Sequence, residues 1–160
     1  MIADTQPVLE GFDPVQASGA EALWVERDLS ADQFEVHDQR ILLVEDREPL
    51  RASMRMMLEL DGHQVTEASN GAEALNLFTP GEFDLVITDF EMPIMNGDEL
   101  AEGIKLLAPS LPILMITASE RARAGAADPV DALLNKPVRV AELRCALVKL
   151  FSLRAHAGRV

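Results

Sequence analysis

Short apolar runs and helix-like segments alternate along the chain from residue 41 onwards. Continuous apolar runs, which are typical of strands buried on both faces, occur in ILLVE (41–45), FDLVIT (83–88) and PILMIT (112–117). The segments HQVTEAS (63–69) and, more weakly, DALLNK (131–136) also have strand character. The pattern therefore predicts five strands.

Apolar positions at helical spacing fill the intervals between and after these strands. The predicted helices cover residues 50–62, 70–78, 97–107 and 140–153. Pro49 suits the first turn of the first helix, because its fixed φ is already helical. Between the fourth and fifth strands, ERARAGAADP (120–129) leaves room only for a short or irregular helix. This alternation predicts an α/β fold, a parallel sheet with helices on both faces.

Polar residues stand where the predicted strands end. The first strand ends in Glu45-Asp46, and Asp89 stands at the end of the third. Thr117 ends the fourth, and the fifth ends in Lys136-Pro137. In a doubly wound sheet, ligands bind at the carboxyl ends of the strands, so these five side chains are expected to meet at one edge.

Three carboxylates at one edge repel one another unless a cation joins them. Oxygen ligands with room for water suit Mg²⁺, and an ammonium and a hydroxyl opposite can bind further anionic oxygens. The set therefore predicts a site where the central carboxylate, Asp89, carries a covalently bound phosphoryl group beside the metal. Taken singly, Asp89 is equally compatible with a turn residue and Lys136 with a surface lysine.

Four segments resemble the receiver domain of bacterial response regulators, the CheY-like receivers of two-component signalling and phosphorelays. They are ILLVED (41–46), DLVITDFEMPIMNG (84–97), MITAS (115–119) and NKP (135–137), and the resemblance covers about residues 40–152 in the right order. It implies a flavodoxin-like, doubly wound, five-stranded parallel sheet in the order 2-1-3-4-5.

The resemblance also implies roles for the residues around the acceptor. Asp89 receives a phosphoryl group from a histidine kinase or a histidine phosphotransfer protein. Asp46, Asp89 and the backbone carbonyl of Glu91 hold Mg²⁺, and Glu45 contacts the ion through water. Gly97 accepts a strained turn in the loop that leaves the site.

Two further roles concern the phosphoryl oxygens and the output. Thr117 and Lys136 are implied to bind the phosphoryl oxygens. At Leu133, three positions before the lysine, the family usually has an aromatic residue that turns inward after phosphorylation. A leucine has neither the ring nor the hydroxyl, so the reporting step stays open. Alternatives are a phosphorylation-independent binding module and the receiver fragment of a hybrid histidine kinase.

Charge separates the leading segment from the rest of the chain. The 160 residues have a formal net charge of −13, and residues 1–40 account for −7 of it, with nine acids and two arginines. Residues 1–39 are interpreted as an acidic N-terminal extension, a linker or docking segment with a possible helix over 19–29. Residues 40–152 are interpreted as the receiver and 153–160 as a C-terminal tail, too short for an output domain.

Composition narrows the functional class. The acidic balance disfavours direct binding to DNA or RNA, which are anions held through Lys and Arg. No apolar run approaches the roughly 20 residues of a membrane span, and no signal peptide is evident. The single cysteine, Cys145, excludes an intramolecular disulfide and is expected to be packed in the last helix. We therefore expect a stand-alone, cytoplasmic signalling protein rather than an enzyme, acting on a protein partner as a monomer or phosphorylation-dependent dimer.

Overall fold

The structure, a computed structural model, describes residues 36, 38–118 and 129–157, and of 154–157 the backbone alone. The possible helix over 19–29 and the segment 119–128, where a short helix is predicted, lie outside the described residues.

Five parallel strands form one sheet. They are β1 Arg40–Val44, β2 Gln64–Ala68, β3 Leu85–Asp89, β4 Ile113–Thr117 and β5 Ala132–Asn135. Their spatial order is β2-β1-β3-β4-β5, and every neighbouring pair is parallel. The predicted strands, the predicted order and the doubly wound architecture are confirmed.

Four helices connect and flank the strands in the described part of the chain. They are α1 Glu48–Leu60, α2 Gly71–Leu77, α3 Gly97–Leu107 and α4 Val140–Ala157. Pro49 lies in the first turn of α1, as predicted. The helix α4 ends four residues beyond its predicted end at 153.

Alternate residues of the strands supply the two faces of the sheet. One apolar cluster joins Ile41, Ile87 and Leu114 to side chains of α1 and α4. The other joins Leu42 and Val86 to side chains of α2 and α3. Because side chains alternate along a strand, the continuous apolar runs contribute side chains to both clusters. The predicted helices on both faces are confirmed.

The surface of α4 corrects one expectation. Cys145 is exposed rather than packed, because the core-facing side of α4 is occupied by Leu143, Ala146 and Leu147. Within the part of the chain that the structure describes, no helix combines the length and the apolar character that crossing a membrane demands.

Candidate phosphoryl-acceptor site

The predicted polar residues meet at the carboxyl edge of the sheet. Glu45 and Asp46 follow β1, and Asp89 is the last residue of β3. Thr117 ends β4, and Lys136 follows β5. All four strands run in the same direction, so their carboxyl ends lie side by side and bring residues from distant parts of the sequence together.

An ammonium group joins two carboxylates at the centre of this edge. Lys136 Nζ donates to Asp89 Oδ2 at 2.6 Å and to Glu45 Oε2 at 2.8 Å. The carboxylates are 7% and 2% exposed, and the lysine side chain is 15% exposed. Burial by itself lowers the pKa of Lys136, but the hydrogen bonds and charges of Asp89 and Glu45 outweigh it and raise this pKa above its ordinary value. The lysine is therefore charged at neutral pH.

For Glu45, the effect of burial on the pKa is larger than that of the neighbouring cation. Its burial raises the pKa of the Glu45 carboxyl, and this effect exceeds the lowering by the hydrogen bond from Lys136. The negative charge of Asp89 adds to the rise, whereas the Arg47 amide, 3.3 Å from Oε1, opposes it. The folded protein therefore disfavours the charged form of Glu45.

The three acids fit a divalent cation. Glu45, Asp46 and Asp89 each offer an oxygen, and these oxygens lie within 4.8 Å of one another. Asp46 Oδ1 is buried and has no hydrogen-bond partner, a costly state for a carboxylate oxygen. Three carboxylates and the ammonium of Lys136 leave a formal charge of −2, which one divalent ion balances. Hard carboxylate oxygens are the ligands that Mg²⁺ prefers.

The backbone around Asp89 is held by its neighbours. The Glu91 amide donates to Asp89 Oδ1 at 3.4 Å, and Thr88 Oγ1 donates to the Asp89 carbonyl at 2.9 Å. The Gly97 amide donates to the Phe90 carbonyl at 2.9 Å. A Cβ on Gly97 would overlap the Asp89 carbonyl oxygen and would stand 3.0 Å from Phe90 Cα. Glycine is therefore required at residue 97 by this close approach.

The strained turn predicted at Gly97 is wrong in its location. Among the described residues of this loop, positive φ occurs at Ile94, with a φ of 73°. That conformation is unusual for a β-branched side chain, and Ile94 is also 82% exposed. The close backbone approach at Gly97 and the positive φ at Ile94 are thus two separate features of this part of the chain.

Thr117 and Leu133 lie where the predicted sheet requires them. Thr117 is fully buried, and its carbonyl accepts the Lys136 amide at 2.9 Å, which ties the end of β4 to the lysine. Leu133 is half-buried in β5 and pairs in register with Met115 of β4. The roles of the Thr117 hydroxyl, of Leu133 and of the Glu91 carbonyl stay predictions.

Two contacts come from residues outside the predicted set. Thr88 fixes the Asp89 peptide, and Arg51 Nη1 donates to the Glu45 carbonyl at 2.7 Å. Thr88 is adjacent in sequence to Asp89, which is a weak signal. Arg51 carries no signal at all, because an arginine in the first turns of a helix normally faces solvent.

The comparison with known proteins decides the family. The model of the response regulator receiver domain matches residues 41–148. The chain belongs to this family. It is similar to the response regulator MprA of Mycobacterium sp. (strain KMS), with 38% identity over 108 residues, which is 65% of this chain and 46% of MprA. It is also similar to the sensor histidine kinase TmoS of Ectopseudomonas mendocina, with 34% identity over 146 residues, 88% of this chain and 14% of TmoS.

Solved receivers have the same fold. The crystal structure of the response regulator TrrA from Thermotoga maritima, in complex with Mg²⁺-BeF, superposes with a TM-score of 0.66 at 34% identity. The superposition covers 70% of this chain and 98% of TrrA. The CheY-like resemblance is thereby confirmed. The chain spans less than half the length of the curated relatives MprA and TmoS.

Proposed function

We propose that this receiver takes a phosphoryl group onto Asp89 from the phosphohistidine of a histidine kinase or a histidine phosphotransfer protein. The observation that carries the proposal is the buried contact between the Lys136 ammonium and Asp89, beside the acids Glu45 and Asp46. A carboxylate with a fixed cation and a fitting divalent site has the parts that phosphoryl transfer needs.

The proposed step forms one bond and breaks one. An oxygen of Asp89 attacks the phosphorus, a P–O bond forms, and the P–N bond to the imidazole breaks. The electron pair of that bond stays on the imidazole nitrogen. Lys136 neutralises charge on the phosphoryl oxygens, and the Thr117 hydroxyl donates to one of them. The transfer is self-catalysed by the receiver, so no separate enzymatic activity is proposed.

Mg²⁺ is the proposed metal, held by Asp46, Asp89 and the backbone carbonyl of Glu91, with Glu45 acting through water. When bound, it supplies positive charge to the phosphoryl oxygens during transfer. The orphaned Asp46 Oδ1 supports this assignment. So does the Mg²⁺-BeF complex of the similar TrrA.

The proposed output is a change in protein–protein contact, in the cytoplasm and without direct binding to nucleic acid. We propose residues 40–152 as the receiver, 1–39 as an acidic extension and 153–160 as a tail. Leu133 is the proposed switch position, and a monomer or phosphorylation-dependent dimer is the expected assembly. A second candidate, the receiver of a hybrid histidine kinase, is supported by the match to TmoS over 88% of this chain.

Beryllofluoride, which mimics a phosphoryl group on a carboxylate, tests the acceptor. With excess Mg²⁺, we expect the full chain to show a bound ¹⁹F signal that saturates, and Asp89→Asn to show none. Asp38→Asn is the matched control, because it removes an exposed acid before β1 and should keep the signal. Absence of a bound signal in the native chain, or its persistence in Asp89→Asn, would contradict the proposal.

A second measurement separates acceptance from mimicry. After incubation with a small acyl phosphate and Mg²⁺, mass spectrometry should find one added phosphoryl group on Asp89. A phosphoryl group found on another residue would reject Asp89 as the acceptor. Failure to accept phosphate despite beryllofluoride binding would favour the phosphorylation-independent module.

A further inference from the structure

The peptide that joins Glu45 to Asp46 is held from the side by α1. Arg51 Nη1 donates to the Glu45 carbonyl oxygen at 2.7 Å, and Arg51 Nε donates to Glu67 Oε1 on β2 at 3.3 Å. The Arg51 side chain is only 17% exposed. Its guanidinium therefore joins the end of β1 to β2 through two separate hydrogen bonds.

This peptide lies where the sheet stops supporting the chain. The Glu45 amide still donates to the Ala68 carbonyl of β2 at 3.2 Å, but Glu45 and Asp46 are already beyond the end of β1. The Glu45 carbonyl belongs to the peptide group that sets the direction of Asp46. No hydrogen bond orients the buried Asp46 Oδ1, so its position depends on that backbone.

A neighbouring arginine provides a comparison. Arg55, one turn further along α1, donates through Nη1 to the other oxygen of Glu67 at 3.0 Å. Both arginines therefore share one carboxylate on β2, but the contact with the Glu45 carbonyl is made by Arg51. The planar guanidinium can serve two acceptors in fixed directions, which a lysine ammonium on a flexible stem does less well.

We infer that Arg51 is a positioning residue of the metal site. By fixing the 45–46 peptide, it directs the Asp46 carboxylate into the cluster with Glu45 and Asp89. This inference rests on the proposed Mg²⁺-dependent function. Arg51 acts through the backbone and does not itself bind the ion.

The inference is tested by the Mg²⁺ affinity of the full chain, measured by isothermal titration calorimetry. Arg51→Met is expected to weaken Mg²⁺ binding about tenfold, as for the loss of other groups that orient metal ligands. Arg55→Met is the matched control, since it removes the same charge from the same helix. It should leave the affinity within about twofold, because the contact with the Glu45 carbonyl is made by Arg51. Loss of a positive charge near three acids would by itself strengthen cation binding, so a weakening reports position rather than charge.

Two further measurements keep the result interpretable. Melting temperatures in EDTA and circular dichroism establish that the variants are folded. Arg51→Lys keeps the charge and is expected to bind Mg²⁺ severalfold more weakly than the native chain; should Arg51→Met not fold, this variant decides the question. An affinity of Arg51→Met equal to that of Arg55→Met, or of Arg51→Lys equal to that of the native chain, would overturn the positioning role alone. Absence of Mg²⁺ binding by the native chain would overturn the proposed function together with it.

Discussion

Gly97 shows how a residue without a side chain contributes to the candidate site around Asp89. It is the first residue of α3 and lies directly against the backbone of Asp89, where a Cβ would overlap the Asp89 carbonyl oxygen. Backbone atoms at this point cannot move aside cheaply, because Thr88 and Glu91 hold the same residue by hydrogen bonds. The position of Asp89 thus depends on the absence of a side chain at residue 97.

We predict that Gly97→Ala destabilises the protein by roughly 1–3 kcal/mol, the usual range for overpacking, and weakens beryllofluoride binding at Asp89. Urea denaturation and ¹⁹F titration measure the two effects. Gly103→Ala, in the same helix, is the control: its new Cβ meets methyl groups of Leu75 at 3.2 Å, which can shift. A helix-interior alanine also gains up to about 1 kcal/mol over glycine. Equal losses in both variants would refute the prediction.

At the scale of elements, the start of α2 is held by hydrogen bonds that depend on the ionisation of Glu73. Asn70 caps the helix by accepting the Glu73 amide at 2.9 Å. Glu73 reaches back, and its Oε2 accepts the Ser69 hydroxyl at 2.5 Å and the Ser69 amide at 2.8 Å. The hydrogen bond from the Ser69 hydroxyl, followed by that from the amide, lowers the pKa of Glu73 below its ordinary value.

A lowered pKa means that the folded state favours the charged form of Glu73. Glu73 therefore stabilises the protein at pH values above its ordinary pKa of 4.5. This contribution disappears as the pH falls through the lowered pKa. We predict that Ser69→Ala is less stable than the native chain at pH 7 by about 0.5 kcal/mol or less, since the contact is exposed. The difference should shrink as the pH falls below the ordinary value. Chemical denaturation across this pH range measures it.

Ser53→Ala is the matched control for this pH dependence. Ser53 is an exposed helical serine whose hydroxyl donates to the Pro49 carbonyl at 2.8 Å, which does not titrate. Its effect on stability should therefore be independent of pH. A constant difference for Ser69→Ala as well would show that the carboxylate is not involved.

At the scale of the whole molecule, negative charge is concentrated as well as abundant. The formal net charge is −13, and three acids share the carboxyl edge of the sheet with one lysine. Repulsion among these groups opposes folding, and an ion that binds only the folded state offsets it. We therefore expect the proposed Mg²⁺ binding to be coupled to stability.

We predict that Mg²⁺ raises the free energy of unfolding of the native chain, by about 2.7 kcal/mol at a concentration 100 times its Kd. Asp46→Asn should lose most of this increase and should be more stable than the native chain in EDTA, because it removes one of three like charges that lie close together. Denaturation with MgCl₂ and with NaCl of equal ionic strength measures the specific effect. An undiminished Mg²⁺ effect in Asp46→Asn would reject Asp46 as a ligand; Asp38→Asn should retain it.

The sequence by itself determined the elements and which polar residues stand at the ends of the strands. Continuous apolar runs ending in Asp or Thr, as at Asp89 and Thr117, mark buried strands and their carboxyl ends, and both signals are local. Pro49 likewise marks where α1 begins. Strand alternation with helices then limits the sheet to a parallel, doubly wound one.

The tertiary structure decided which atoms of distant segments come into contact. It places α1 and α4 on the same face of the sheet and brings Arg51 to the Glu45 carbonyl. It also leaves Cys145 exposed and places Gly97 against Asp89. Periodicity indicates that a residue is on an apolar or polar face, but not which atoms of another segment stand opposite it. The strand ends predict which polar residues meet at the carboxyl edge of the sheet, but their individual distances and hydrogen bonds arise only when the sheet and its helices pack. These details were therefore not predictable from the order of residues.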